Sequence, residues 1–166
     1  MTHTTQESTT QESTTQEYLD SGADQYSLDQ RAGLLTTPLL ASTIEKQVLN
    51  DQCGAVTTFC GRVRDHNEGH GVLSIVYEAY EAMALKVIKE ILGEADQKFP
   101  ETRSVAHHRL GTLGIGDIAV IVSVAAAHRK VTFEACAWII DELKARTPIF
   151  KHEQRDNGVV WVGLGP

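Results

Sequence analysis

The sequence predicts an α+β fold, mainly antiparallel in its pairing, with two longer helices. Three observations carry that expectation. Apolar residues recur at three- and four-residue steps in two long stretches, within 81–99 and 133–144, as one face of a helix requires. Ile118–Ala126 is apolar without alternation, the pattern of a central strand covered on both faces. Two short runs, 149–155 and 159–162, flank Asp156-Asn157-Gly158, a hairpin-turn signal.

Taken in order, the chain opens with a tail at 1–31, ahead of a domain at 32–166. Residues 4–18 repeat a Thr-Thr-Gln-Glu-(Ser/Tyr) unit three times, with almost nothing apolar to bury. Such a segment cannot offset its ordering entropy, so disorder is expected there, and no chemistry. The run 34–40 reads as a short strand. Ser42 followed by Glu45 is a capping box opening a helix to about Leu49. Residues 54–64 alternate, ending one face with Arg62 and Arg64, and 72–80 reads as the return strand of a hairpin across 65–71. The helix at 81–99 buries Ala84, Leu85, Val87, Ile88, Ile91, Leu92 and Ala95 and is closed by Pro100. A strand at 104–110 follows, with Gly111, Gly114 and Gly116 as the turn into the central strand. The last helix carries Phe133, Cys136, Ala137, Ile140, Leu143 and Lys144 on one stripe and ends before Pro148. Lys144 is therefore expected half-buried.

The formal charge of −7 misleads about the surface. Residues 1–30 hold six acids and no Lys or Arg, leaving 15 cations against 16 acids beyond them. Within 128–155 there are six cations and four acids, a local surplus that suits a small anion better than nucleic acid. Cys53, Cys60 and Cys136 form no CxxC pair and are odd in number, which argues against a disulfide framework or zinc site and fits a reducing compartment. No apolar run reaches membrane-spanning length, and the N-terminus lacks a signal peptide's order of charge then apolar residues; a cytoplasmic location is expected.

Each candidate for chemistry has a plain counterpart. Lys144 either lays its stem on the core and snorkels its amine, or is desolvated enough to act as acid, base or nucleophile. Lys151, seven residues on, is an exposed strand lysine or a second cation of the same pocket. His128, Arg129 and Lys130 crowd a helix N-terminus, where the macrodipole favours negative charge. They form a solvated helix start or a prebuilt anion site. Arg62 and Arg64 either guard a strand edge or bind phosphate. His107 and His108 are adjacent on a strand and cannot share one metal, Cys136 fits plain core, and no metal is expected. The Gly111/Gly114/Gly116 spacing precedes a strand, so it is no dinucleotide fingerprint.

The order of motifs resembles the large, catalytic subunit of molybdopterin synthase. The resembling segments are Gly54-Ala55-Val56-Thr57-Thr58-Phe59-Cys60-Gly61-Arg62-Val63-Arg64-Asp65-His66-Asn67, Tyr77-Glu78-Ala79-Tyr80, His108-Arg109-Leu110-Gly111 and Ala127-His128-Arg129. Phe133-Glu134-Ala135, the run from Lys144 through Pro148 to Lys151, and Trp161-Val162 complete the set, which spans about 34–163. The resemblance implies an α/β-hammerhead-type fold and a homodimer, each protomer docking a small ubiquitin-like sulfur-carrier subunit to give a heterotetramer. It implies transfer of two sulfurs from the carrier's Gly-Gly thiocarboxylate terminus to cyclic pyranopterin monophosphate, forming molybdopterin. No permanently bound cofactor, nucleic acid or membrane is implied.

By the same resemblance Lys144 and Lys151 match the family's essential lysines. Arg62, Val63, Arg64, His128, Arg129, Lys151, His152 and Glu153 match its substrate-contacting segments. Phe59, Ile140 and Phe150 would wall the pocket, with Phe150 standing where the family usually has Trp and Ile140 where some members have Met. Two rival readings stand beside it, of which only the first uses the same residues. One is a non-catalytic module holding an anion or acidic tail in the basic pocket; the other is an adaptor that only dimerises.

Overall fold

The computed structural model describes residues 28–67, 69–156 and 158–161. In chain order they form α1 (Leu28–Arg31), β1 (Ala32–Leu35), α2 (Ala41–Glu45), β2 (Ala55–Arg62), β3 (His66–Asn67) and β4 (His70–Ala79). Then come α3 (Glu81–Lys98), β5 (Thr102–Arg109), β6 (Gly111–Gly114), β7 (Ile118–Ala126), α4 (Arg129–Arg146), β8 (Ile149–Arg155) and β9 (Gly158–Trp161). The strands make two sheets. One has the order β1-β5-β7-β2; in the other β3, β4, β8 and β9 follow one another and β6 pairs β4. Among the described residues only β1 and β5 pair in parallel, so the α+β, mainly antiparallel expectation holds.

The first sheet is covered on both faces, which is why β7 at its centre reads apolar throughout. The long helices α3 and α4 lie on one face, packing Ile88, Ile91, Leu92 and Ile139 against Val122 and Val124. Leu39, Ile44 and Val48 cover the other, against Val105, Ile121 and Ala125. The second sheet closes over Val63, Val72, Ile75, Leu113 and Ala119.

Several elements differ from expectation for identifiable reasons. The repeat at 4–18 lies outside the described residues, as do Asn157 of the expected turn and Val162. The last four residues of the expected tail, however, form α1. Arg31 is buried there and donates two hydrogen bonds to Asp96, at 2.8 and 2.6 Å, while Lys89 reaches Asp29. The strand expected at 34–40 is β1, starting and ending earlier. The capping box at Ser42 does not form. Leu40 is the N-cap, without a side-chain cap, and the Glu45 carboxylate instead accepts the Thr58 hydroxyl at 2.9 Å. The helix ends at Glu45, and a turn carries the chain on.

The predicted hairpin between 54–64 and 72–80 is also absent. Strand β2 pairs with β7 along its whole length instead, packing Phe59 against the helix layer and Cys60 against the Leu39, Ile44 and Val48 layer. A bulge at Gly61/Arg62 then turns the chain out of the first sheet. Val63 bridges to the loop before β7, its N–H donating to Asp117 O and its carbonyl accepting from Gly116 N. The segment 65–71 is therefore no long tip: β3 folds straight back onto the start of β4. Gly111 through Gly114, read as a turn, is strand β6; Gly111 at φ 88° and Gly116 at φ 84° supply the tight reversals on either side.

Gly54 opens β2 where the chain passes the end of β7. A Cβ there would lie 2.5 Å from the carbonyl oxygen of Ala127, a backbone atom that cannot step aside. Gly54→Ala should cost about 1–3 kcal/mol of stability, read as a lower urea midpoint with an unchanged m-value.

Candidate active site

The site is built where the two sheets and α4 meet. The Gly61/Arg62 bulge releases Arg62 and Arg64 from the edge of the first sheet. Arg62 is steadied by donating from Nη1 to Gly116 O at 2.8 Å. On the other side α4 ends at Arg146, and Thr147, held extended before Pro148, turns the chain into β8. That turn is why two lysines seven residues apart face one space: Lys144 leaves the last helical turn and Lys151 the pocket face of β8.

Arg62, Arg64, Lys144 and Lys151 all line a cavity of about 500 Å³. Its walls below them are largely apolar, with Phe59, Ile75, Tyr77, Ile140 and Leu143 among them. None of the four cations forms an ion pair with a described residue, whereas Arg31, Arg109, Arg146 and Arg155 each hold an acid. Glu153 is the single acid among the lining residues, and it is already engaged. Arg155 donates to its Oε2 from Nε and Nη2 at 3.0 and 2.8 Å, and Asn67 donates to its Oε1 at 2.7 Å. The cavity therefore presents net positive charge over an apolar floor, the chemistry of a site for an anion with a flat or apolar body.

Several expected site residues fall elsewhere. Lys144 is exposed, not half-buried, because the buried stripe of α4 is Thr132, Ala135, Cys136, Ile139, Ile140 and Leu143. Phe133 and Ala137 of the expected stripe are exposed, and the helix is rotated so that Ala135 and Ile139 meet the sheet. His128 and Arg129 are exposed at the start of α4, about 22 Å along the helix axis from Lys144, and line no part of this cavity. The helix there has no side-chain cap and no acid in its first turn, so the adverse dipole placement is real. Val63 is core. Phe150 and His152 alternate with Lys151 and so face away: Phe150 packs edge-to-face on Tyr80 at 5.7 Å, and His152 Nε2 lies 3.2 Å from Glu78 Oε2. Phe150 is thus no pocket wall, while Phe59 and Ile140 are.

Sequence reasoning missed Tyr77, Asn67 and the place of His108. The alternation of β4 puts Tyr77 on one face with Ile75, but only the β4–β8 register brings it to Lys151. His108 is buried, its Nδ1 lies 2.9 Å from Arg109 O, and burial pushes its pKa down to about 4. Cys136 is core as expected, with burial pushing its thiol up. Among the described residues no group of three His, Cys, Asp or Glu could hold a metal ion.

The same segments carry a family match. Residues 34–146 match the MoaE protein family, a span that includes Arg62, Arg64 and Lys144. The chain belongs to the MoaE family. It is 43% identical over 115 residues to the molybdopterin synthase catalytic subunit of Pyrococcus abyssi, covering 69% of this chain and 78% of that protein. The crystal structure of molybdopterin synthase from Staphylococcus aureus superposes with a TM-score of 0.76 at 35% identity, over 78% of this chain and 95% of that one. At 20% identity, a complex of subunits 1 and 2 of molybdopterin-converting factor from Helicobacter pylori shares the fold, with a TM-score of 0.66 over 79% of this chain and 89% of that one. The structural matches agree with the α+β, mainly antiparallel expectation.

Two outcomes test the geometry. Glu153→Ala leaves Arg155 buried without its counter-charge, and should destabilise the fold by about 3–5 kcal/mol in urea denaturation. His108 binds a proton near pH 4 when folded, but near 6.5 when unfolded. Between those values the unfolded chain holds more protons, so stability should fall by about 3 kcal/mol as pH drops through the window and level off below it. His108→Asn should flatten that stretch of the stability–pH curve.

Proposed function

We infer that this MoaE-family chain is a sulfurtransferase of molybdenum cofactor biosynthesis, carrying out the molybdopterin synthase reaction. The observation that carries this reading is the gathering of four cations without counter-charges, from three separate segments, around one apolar-floored cavity. The substrate is cyclic pyranopterin monophosphate. The pterin body suits the apolar floor and the phosphate suits the rim. Sulfur comes from the C-terminal Gly-Gly thiocarboxylate of a small ubiquitin-like carrier subunit, an anionic tail drawn to the same field. In this scheme each of two carriers bonds its thiocarboxylate sulfur to a side-chain carbon as that carbon's C–O bond breaks, the oxygen leaving as the opened phosphate ester at one carbon and as water at the other. Water then cleaves each acyl–sulfur bond, leaving sulfur on the pterin and a carboxylate on the carrier. No cysteine of this chain and no resident cofactor takes part.

Lys144, at the open end of the helix wall, donates a proton or stabilises the charge that develops as sulfur adds. Arg64 and Lys151 hold the phosphate, and Arg62 reinforces the field. His128 and Arg129 lie too far along α4 to serve this cavity. In the homodimer proposed here they reach the second protomer's site, and a carrier on each protomer completes a heterotetramer. The two-subunit complex with the same fold supports the carrier as partner. No helix among the described residues is long and apolar enough to cross a membrane. Three free cysteines fit a reducing cytoplasm, where we place the protein.

Lys144→Ala, with thermal unfolding unchanged, should lower molybdopterin formation from thiocarboxylated carrier and pterin substrate by at least about a hundredfold. Undiminished turnover would remove the assignment. Wild-type protein that binds the carrier tail but never turns over would instead support the non-catalytic anion- or acidic-tail-binding module.

A further inference from the structure

Tyr77 has no part in the scheme above, yet it occupies the centre of the sheet wall. In the antiparallel register its Cα lies opposite that of Lys151, and both side chains line the cavity. Directly opposed residues on one face have Cβ atoms about 5 Å apart, so phenol and ammonium work over the same ground. The ring is held in place: its edge-to-face partner is His108, with centroids 5.0 Å apart and planes at 69°. That imidazole is itself fixed by the Arg109 carbonyl and buried.

The hydroxyl, by contrast, makes no hydrogen bond to a described residue and is not among the buried polar atoms left without a partner. It is open to the cavity. Burial and the nearby Glu153 charge both push the phenol above its ordinary value of 10, so through neutral pH it remains a donor. Tyr80, three residues on, is exposed and packs on Phe150 away from the cavity.

We propose that the Tyr77 hydroxyl and the Lys151 ammonium form a two-donor seat for one phosphate group, that of the pterin substrate; the identity of the substrate rests on the function inferred above. The cavity divides its labour between walls. The helix wall offers Lys144 alone, facing the reacting carbon. The sheet wall offers Lys151 for charge and Tyr77 for direction. A tetrahedral phosphate presents oxygens to both, with the Arg64 guanidinium on a further side. A neutral donor adds little attraction at long range, but it fixes which oxygen points inward and so orients the ring system attached to it.

The test is a titration of inorganic phosphate into the full chain followed by ³¹P NMR, joined to steady-state kinetics with the carrier. Tyr77→Phe should weaken phosphate binding about fivefold and raise the KM for the pterin by a similar factor, the loss expected for one hydrogen bond. Its kcat and its KM for the carrier should stay within about twofold of wild type, and Tyr80→Phe should match wild type throughout. Equal phosphate affinity in Tyr77→Phe and wild type would overturn the seat. So would no phosphate binding at all, or a loss confined to kcat or to the carrier's KM. Phosphate binding that depends on Tyr77, in a protein that makes no molybdopterin, would uphold the seat and remove the inferred function instead.

Discussion

The ion pair between Glu153 and Arg155 keeps the one carboxylate lining the cavity from spending any of its cations. Glu153 is the one carboxylate near the four rim cations, and left alone it would neutralise one of them. Arg155, next but one along β8, claims one oxygen and Asn67 the other, both within a sealed region. Desolvating such a pair is costly, and its net contribution to stability is small. Its consequence for the site is larger. With the carboxylate satisfied from behind, the cations in front of it have no local competitor for an incoming anion. The same contact ties β3 to β8, and so holds the Arg64 segment against the Lys151 strand.

A formal charge of −7 says nothing of this arrangement. The acidic tail supplies most of the imbalance, and several of the remaining acids are held in pairs. Glu94 and Glu142 hold Arg146, Asp117 holds Arg109, and Asp96 holds Arg31. Among the described residues, the four cations that meet at the cavity hold no acid. An acidic protein can therefore attract two anionic ligands to one place, because screening over about 8–10 Å hides the distant acids while the near cations act unshielded.

How much of this was legible depended on whether a feature was local. The two long helices, the central strand and the final hairpin were visible, because each follows from periodicity or turn chemistry within one stretch. Lys144 and Lys151 stood out for a similar reason: one short turn joins their elements. Pairing partners were not visible. Strand β2 prefers β7 to β4 because β7 is apolar on both faces, a preference that depends on a partner strand and covering layers from other parts of the chain. The orientation of α4 was off by one position, since Cys136, Ile140 and Leu143 belong to both candidate stripes and only the sheet beneath chooses between them. Tyr77 was hidden because register, not composition, sets it beside Lys151. The family resemblance supplied site residues that geometry then divided, keeping Arg62, Arg64, Lys144, Lys151 and Glu153 at the cavity and sending His128, Arg129, Phe150 and His152 elsewhere.

The short bend at Thr147-Pro148 has a further consequence, for the kinds of change the gene can absorb. On a strand, successive side chains alternate between faces, so adding or removing one residue between 147 and 150 would turn Lys151 outward and bring a neighbour inward in its place. Point substitutions in the bend leave that parity intact; a single-codon length change reverses it. Natural variation in this stretch should therefore run through exchanges of residue and hardly ever through changes of length, and the burial of Thr147 and Ile149 narrows even those exchanges.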